Sequence, residues 1–230
     1  MSLVRVVAEM DGPIVADRDV HLDGLLVWSA AQDLDMEPPS RGQALSTFPT
    51  VPIPVRAVSH GEYDVFLCSA WSLSDDAEPW RHSWTRRRDA VDIESLTRVY
   101  TPGSGPGRDL LRTAGAVLVR YCTWHLDTDD LDDLRRLLLR ITHLGGLRAH
   151  GLGLVRSWSV RESDGPPAWC LVDEYGCAAR ALPVSWLADY EGAPVRLAVQ
   201  CPYWHHEAHA PAVAPGTPAR LTDEVRCAVG

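Results

Sequence analysis

The sequence predicts an α+β chain built on a ferredoxin-like core, and three stretches carry that expectation. Residues 3–10, LVRVVAEM, have strand character, and residues 115–124, GAVLVRYCTW, look like a central strand apolar on both faces. Residues 127–144, DTDDLDDLRRLLLRITHL, place Leu131, Leu134, Leu137, Leu138, Ile141 and Leu144 on one helical stripe. With the segments between them, the order is strand, helix, strand, insertion, strand, helix, Gly-rich loop, strand. That is the β-α-β-β-α-β succession.

Each remaining element follows in turn. HLDGLLVWSAAQDL (21–34) sets Leu22, Leu25, Leu26 and Ser29 at helical spacing despite Gly24. MEPPSRGQALSTFPTVPIPV (36–55) is Pro-rich and loop-like, and YDVFLCSAWSL (63–73) returns to strand character. The long helix is expected to be capped by Asp127, Thr128 or Asp129, with Asp132 and Asp133 near its positive end and Arg140 and His143 near its negative end. Gly145 is the expected left-handed stop. GLVRSWSV (153–160) and AWCLVDEY (168–175) follow as strands. The core is thus assigned to 1–74 and 114–178, a polar projecting insertion to 75–113, and a β-rich C-terminal extension to 179–230, its Pro/Ala-rich tail partly disordered.

Composition narrows the class. The 230 residues are 46% hydrophobic, enough for a real core, and no apolar run approaches the roughly 20 residues of a membrane span. MSLVRVVAEMDGP turns acidic too early for a secretory signal, so a soluble, cytoplasmic protein is expected. Six cysteines without a CxxC pair point to reduced thiols. The formal net charge of −9 weighs against nucleic acid, but residues 80–120 hold eight Arg and four acidic residues, a local balance of +4. All 22 basic residues are Arg, so any anion site here is built from forked guanidinium groups.

HLGGLRAHGLGLVRSW (143–158) sets four glycines within nine positions, with Arg148 and His150 between them. Without lysine this is no Walker loop. Arg156 stands where a dinucleotide fingerprint needs its third Gly. The glycines admit left-handed conformations, so amide groups could converge on phosphates. The competing reading is a long helix cap followed by a tight turn into an edge strand.

The central strand followed by LDDLRRLLLRITHLGGLRAHGLGLVRSWSV resembles the second half of the CRISPR-associated RAMP proteins, whose fold is ferredoxin-like (RRM-like). HLDGLLVW is similar to the first-helix segment of Cas-five-like RAMPs, especially the third Csf subunit of type IV effector complexes. Together the two matches span about a third of the chain. The resemblance implies that Gly145, Gly146, Arg148, His150, Gly151 and Gly153 face a guide RNA (crRNA). It also makes the Arg-rich insertion a thumb that caps the 5′ handle. The implied protein is a non-catalytic crRNA-binding subunit of an antiviral-defence ribonucleoprotein, with backbone and large effector subunits as partners, no membrane and no cofactor. The loop is less basic than is usual in the family, and the chain is acidic, which favours binding within an assembly.

Within the insertion, HSWTRRRD gathers Arg86, Arg87 and Arg88 beside Trp80, Arg81, His82 and Trp84, a mixture suited to holding phosphates and stacking bases. The bland alternative is a solvated loop tip pairing with Asp75, Asp76 and Asp89. CPYWHHEAH offers Cys201, His205, His206 and His209, and it reads as an ordinary His-rich surface segment since no second cysteine stands at metal spacing. His60, His82, His125 and His150 are each candidate general bases for a guide-processing ribonuclease, the second reading. An acidic scaffold with no RNA role is the third.

Overall fold

The computed structural model describes residues 2–16, 19–34, 36, 44–45, 50–86 and 110–230. In chain order the elements are β1 (Ser2–Met10), α1 (Leu22–Asp33), β2 (Ala57–His60), β3 (Tyr63–Phe66), β4 (Ser72–Leu73), β5 (Glu78–Arg86) and β6 (Leu110–Leu118). There follow β7 (Tyr121–Thr128), α2 (Leu131–Leu138), β8 (Val155–Glu162), β9 (Leu182–Pro183), β10 (Leu187–Tyr190), β11 (Val195–Ala198), β12 (His209–Val213), β13 (Ala219–Leu221) and α3 (Asp223–Val229). The fold is mixed α+β with antiparallel sheets, and no described helix is long and apolar enough to cross a membrane.

The main sheet runs β4-β7-β1-β8, and all three strand pairings are antiparallel. Strand alternation gives it two different faces. Val4, Val6, Ala8 and Met10 of β1 join Cys122, Trp124 and Leu126 of β7 in one core, which α1 and α2 cover with Leu22, Leu26, Leu134, Leu137 and Leu138. Leu3 lies on the opposite face. There it belongs to a second core with Val65, Leu67, Cys170, Leu171, Trp186 and Val225, so the C-terminal part of the chain covers that end of the sheet.

The structure corrects several sequence expectations. The 115–124 strand is two strands: residues up to Leu118 pair with β5, those from Tyr121 pair with β1, and the chain turns at Val119–Arg120. Periodicity cannot show such a corner inside one apolar run. The long helix stops at Leu138 and is capped by Asp130, whose side chain accepts from the backbone N–H groups of Asp132 and Asp133. Residues 142–144 leave the helix because they pair with 153–155: Val155 N–H donates to Thr142 O (2.9 Å) and Leu144 N–H to Gly153 O (2.8 Å). Ile141 and Leu144 are buried all the same, and Arg140 reaches Asp33 of α1. Gly145, though left-handed at φ 73°, is therefore not the helix stop.

AWCLVDEY is not a strand. Its start forms a short 3-10 turn (Pro167–Cys170) that drops Cys170 and Leu171 into the second core. The Pro/Ala-rich tail, expected to be partly disordered, carries β12, β13 and α3, a helix that Thr222 caps and that buries Val225 and Val229. The 63–73 stretch is divided between the β2–β3 hairpin and the short edge strand β4.

Candidate nucleic-acid interface

β5 and β6 pair over their whole length, from Glu78↔Leu118 to Arg86↔Leu110. Strand alternation puts Trp80, His82 and Trp84 on one face of this ribbon and Arg81 on the other. The first face meets the glycine loop. The His82 and Trp84 rings are stacked at 5.6 Å, and His150 lies 4.9 Å from Trp84 and 5.8 Å from His82. His82 Nε2 is buried there without a hydrogen-bond partner among the described residues. Arg81 is exposed and points away from the cluster. Arg86 closes β5 through its backbone. Its side chain, and Arg87 and Arg88 entirely, lie outside the described residues.

The loop is built to present a short tip. Leu147 (φ 56°) opens a 3-10 turn, Arg148–His150, and Gly151 (φ 76°) closes it. A left-handed Leu is uncommon, and the conformation costs roughly 1–2 kcal/mol, so surrounding contacts hold it. Below the tip the loop is fastened to the segment after β1: Gly146 N–H donates to Val15 O (2.6 Å) and Gly153 N–H to Pro13 O (2.8 Å). Arg148 packs over Trp28 of α1 at 5.8 Å, and its Nε donates to Gly145 O (3.2 Å).

This geometry corrects the expected role of the glycines. The amides of Gly146, Gly151 and Gly153 are all used within the chain and do not converge on a ligand. The close backbone approach exists, but it is internal. A Cβ on Gly145 would lie 2.3 Å from Val15 O, and one on Gly153 would lie 1.9 Å from Leu144 O. Among the four loop glycines, only Gly151 combines a left-handed backbone with open space around the missing Cβ. Arg148, Ala149, His150 and Gly151 form the exposed tip of the loop.

Beside the loop, a groove of about 990 Å3 runs between α1 and residues 200–207, lined by Gly145, Arg148, Trp28 and Trp204 among others. A polar network is sealed at its floor. Asp23 and Arg180 are fully buried 3.6 Å apart, and Tyr203 O–H donates to Asp23 Oδ2 (2.6 Å). Arg180 also donates to Phe66 O (2.5 Å), Cys68 O (2.9 Å), Val199 O (3.1 Å) and the Tyr203 hydroxyl (2.6 Å). Burial pushes the Asp23 carboxyl above its usual range, and Arg180 and the Tyr203 hydroxyl oppose that shift. This network ties the first helix to the C-terminal extension. The sequence signal for it was an Arg set among small apolar residues, CAARALP, and sequence reasoning passed over it.

His21 stacks on Tyr203 at 4.4 Å with its Nδ1 buried and unpaired among the described residues. Burial and the neighbouring Arg180 charge hold its imidazole well below 6.5. The folded chain therefore refuses a proton that the unfolded chain accepts. The stability tied to His21 is present above about pH 6.5 and is lost as the pH falls below it. His21→Phe keeps the stacked ring and removes the titration. Denaturant midpoints measured from pH 7.5 to 5 should fall less steeply in that variant. Part of the slope should persist, because burial and Arg5 also lower His125.

The His-rich segment turns inward on itself: His205 Nδ1 accepts from Glu207 N–H (3.2 Å), and His209 Nδ1 lies 2.8 Å from His205 O. Burial, with Asp23 nearby, pushes the Cys201 thiol up to about 12. Among the described residues no cluster of three His, Cys, Asp or Glu side chains could hold a metal. No protein-family model matches the chain, and no curated protein matches it.

Proposed function

We propose that this protein is a ferredoxin-like RAMP chain, most like the Cas-five-like third Csf subunit of type IV systems. In this reading it holds the 5′ handle of a guide RNA inside a CRISPR effector complex and docks on the first backbone subunit. One observation carries the reading: the Arg-bearing ribbon and the glycine-loop tip converge where His82 and Trp84 meet His150, 66 or more positions away in sequence, and the same tip carries Arg148. The sheet order β4-β7-β1-β8 with both core helices on one face supports the ferredoxin-like assignment. Rings stack on unpaired bases while guanidinium groups hold phosphates, so strand position is fixed with little base readout.

Trp84→Ala tests it. Base–aromatic stacking contributes about 1–3 kcal/mol per base, so RNA retained by the assembled complex should fall by about 5- to 150-fold in affinity. Unchanged RNA occupancy in that variant would remove the junction from the interface.

A second reading has its own observation. His82 and His150 stand with ring centroids 5.8 Å apart, as a general acid and a general base for attack by a 2′-hydroxyl would. Specific cutting of a guide precursor that disappears in His150→Ala would make the protein a processing ribonuclease.

A further inference from the structure

We propose that the open part of the main sheet, at Arg5 on β1, Arg161 on β8 and Arg120 beside Tyr121 of β7, binds the phosphates of a single nucleic-acid strand. This is a second contact, separate from the loop–ribbon junction, and it takes from the proposed function only the class of ligand.

The register sets up the site. Arg5 is the direct partner of Arg161 on one side and of His125 on the other, so two guanidinium groups and an imidazole stand in one row across β7, β1 and β8. Arg5 and Arg161 are exposed, and both project from the face opposite the helices. Side chains directly opposite in an antiparallel pair have Cβ atoms about 4.5–5.5 Å apart, and like charges there are destabilising. Neither Arg5 nor Arg161 makes an ion pair among the described residues.

The acidic side chains on this face are otherwise occupied. Glu9 is held by Arg156 (3.7 Å) and the Ser157 hydroxyl (3.1 Å), and Asp127 by Arg56 (2.6 Å). Glu174 is a further acidic neighbour, near His125. Further along the face, Arg120 lies over the Tyr121 ring at 5.0 Å, likewise without an ion pair among the described residues. The exposed hydroxyl of Ser159, two positions before Arg161 on the same face, offers a hydrogen-bond donor between the two ends. From Tyr121 to His125 the strand advances about 13 Å, so Arg120 stands about that far along the face from the Arg5–Arg161 pair. A paired guanidinium row with a flanking ring suits a phosphodiester backbone better than a single small anion.

The test titrates the full-length protein with a fluorescein-labelled 20-nucleotide oligouridylate at several salt concentrations. Single strands give a log–log salt slope of about −0.7 per phosphate neutralised, so Arg5→Gln with Arg161→Gln should flatten the slope by about 1.4. The thermal midpoint of that variant should hold or rise, since a like-charge pair has been removed. Crosslinking with 4-thiouridine RNA should label peptides containing residues 2–10 and 155–162. An unchanged slope, or crosslinks confined to residues 78–86 and 145–153, overturns the sheet-face site and leaves the proposed function standing. The reverse pattern, with Trp84→Ala binding like the parent and the arginine variant losing its slope, overturns the loop–ribbon reading alone. Failure of the parent protein to bind the oligonucleotide overturns the sheet-face site and leaves the proposed function, read from RNA held by the assembled complex, standing.

Discussion

Asp23→Ala should lower folding stability by about 3–5 kcal/mol, read as a large drop in the urea midpoint. The carboxylate is fully buried against Arg180 (3.6 Å) and accepts from Tyr203 (2.6 Å) and from Gly24 N–H (2.9 Å). Its removal leaves a guanidinium sealed in the interior with no counter-charge, and water does not reach it. The price of an orphaned buried charge far exceeds the worth of the lost contacts. The corollary separates this account from simple cavity formation: Asp23→Leu combined with Arg180→Met removes both charges and should recover much of the loss. A double variant as unstable as Asp23→Ala would show that packing, not charge, governs the site.

Gly153→Val should be nearly as damaging. Any Cβ there would sit 1.9 Å from Leu144 O, and the backbone is held at φ 74°, a region β-branched residues avoid. The carbonyl it would strike accepts no relief, because Leu144 N–H is itself bonded to Gly153 O, locking both strands of the loop. A loss of about 3–5 kcal/mol is expected in thermal or denaturant unfolding. Gly151→Ala is the contrast. The same left-handed backbone there faces open space, so the cost is the conformational one, about 1–2 kcal/mol, or about 2–8 °C in midpoint for a chain of this size. A Cβ at Gly151 would stand at the exposed tip, so weakened RNA retention in a well-folded Gly151→Ala protein would mark it as the loop glycine that meets a ligand.

β1, α1 and β8 fall within a residue or two of their sequence patterns, and β1 shows the signal most plainly, since Val4, Val6, Ala8 and Met10 alternate into the core. Ile141 and Leu144 show where that logic ends. They keep helical spacing and are buried, yet they lie beyond α2, since cross-pairing of 142–144 with 153–155 satisfies the same backbone groups. The corner at Val119–Arg120 was hidden because apolar residues on either side of it serve different sheets. In the candidate site, Trp84 and His150 were each visible as suitable chemistry, but their meeting was not. The four glycines drew attention for their number, whereas two of them answer to Val15 and Leu144 of the same chain. Arg5 and Arg161 were invisible singly. Only the register makes them neighbours.

The buried Asp23 network also sets a timetable. Tyr203 and Asp23 are 180 positions apart, and Arg180 lies almost as far from Asp23 along the chain. During synthesis, which runs N-terminal first, the HLDGLL segment leaves the ribosome long before either partner exists. Until they arrive, that carboxylate must stay in water or keep its proton, and the helix that carries it cannot settle against the core. The arrival of the stretch from Arg180 to Tyr203 is therefore the step that closes the domain. Nascent chains halted before Arg180 should expose Leu22 and Leu26 to chaperones, and release of the complete chain should bury both at once.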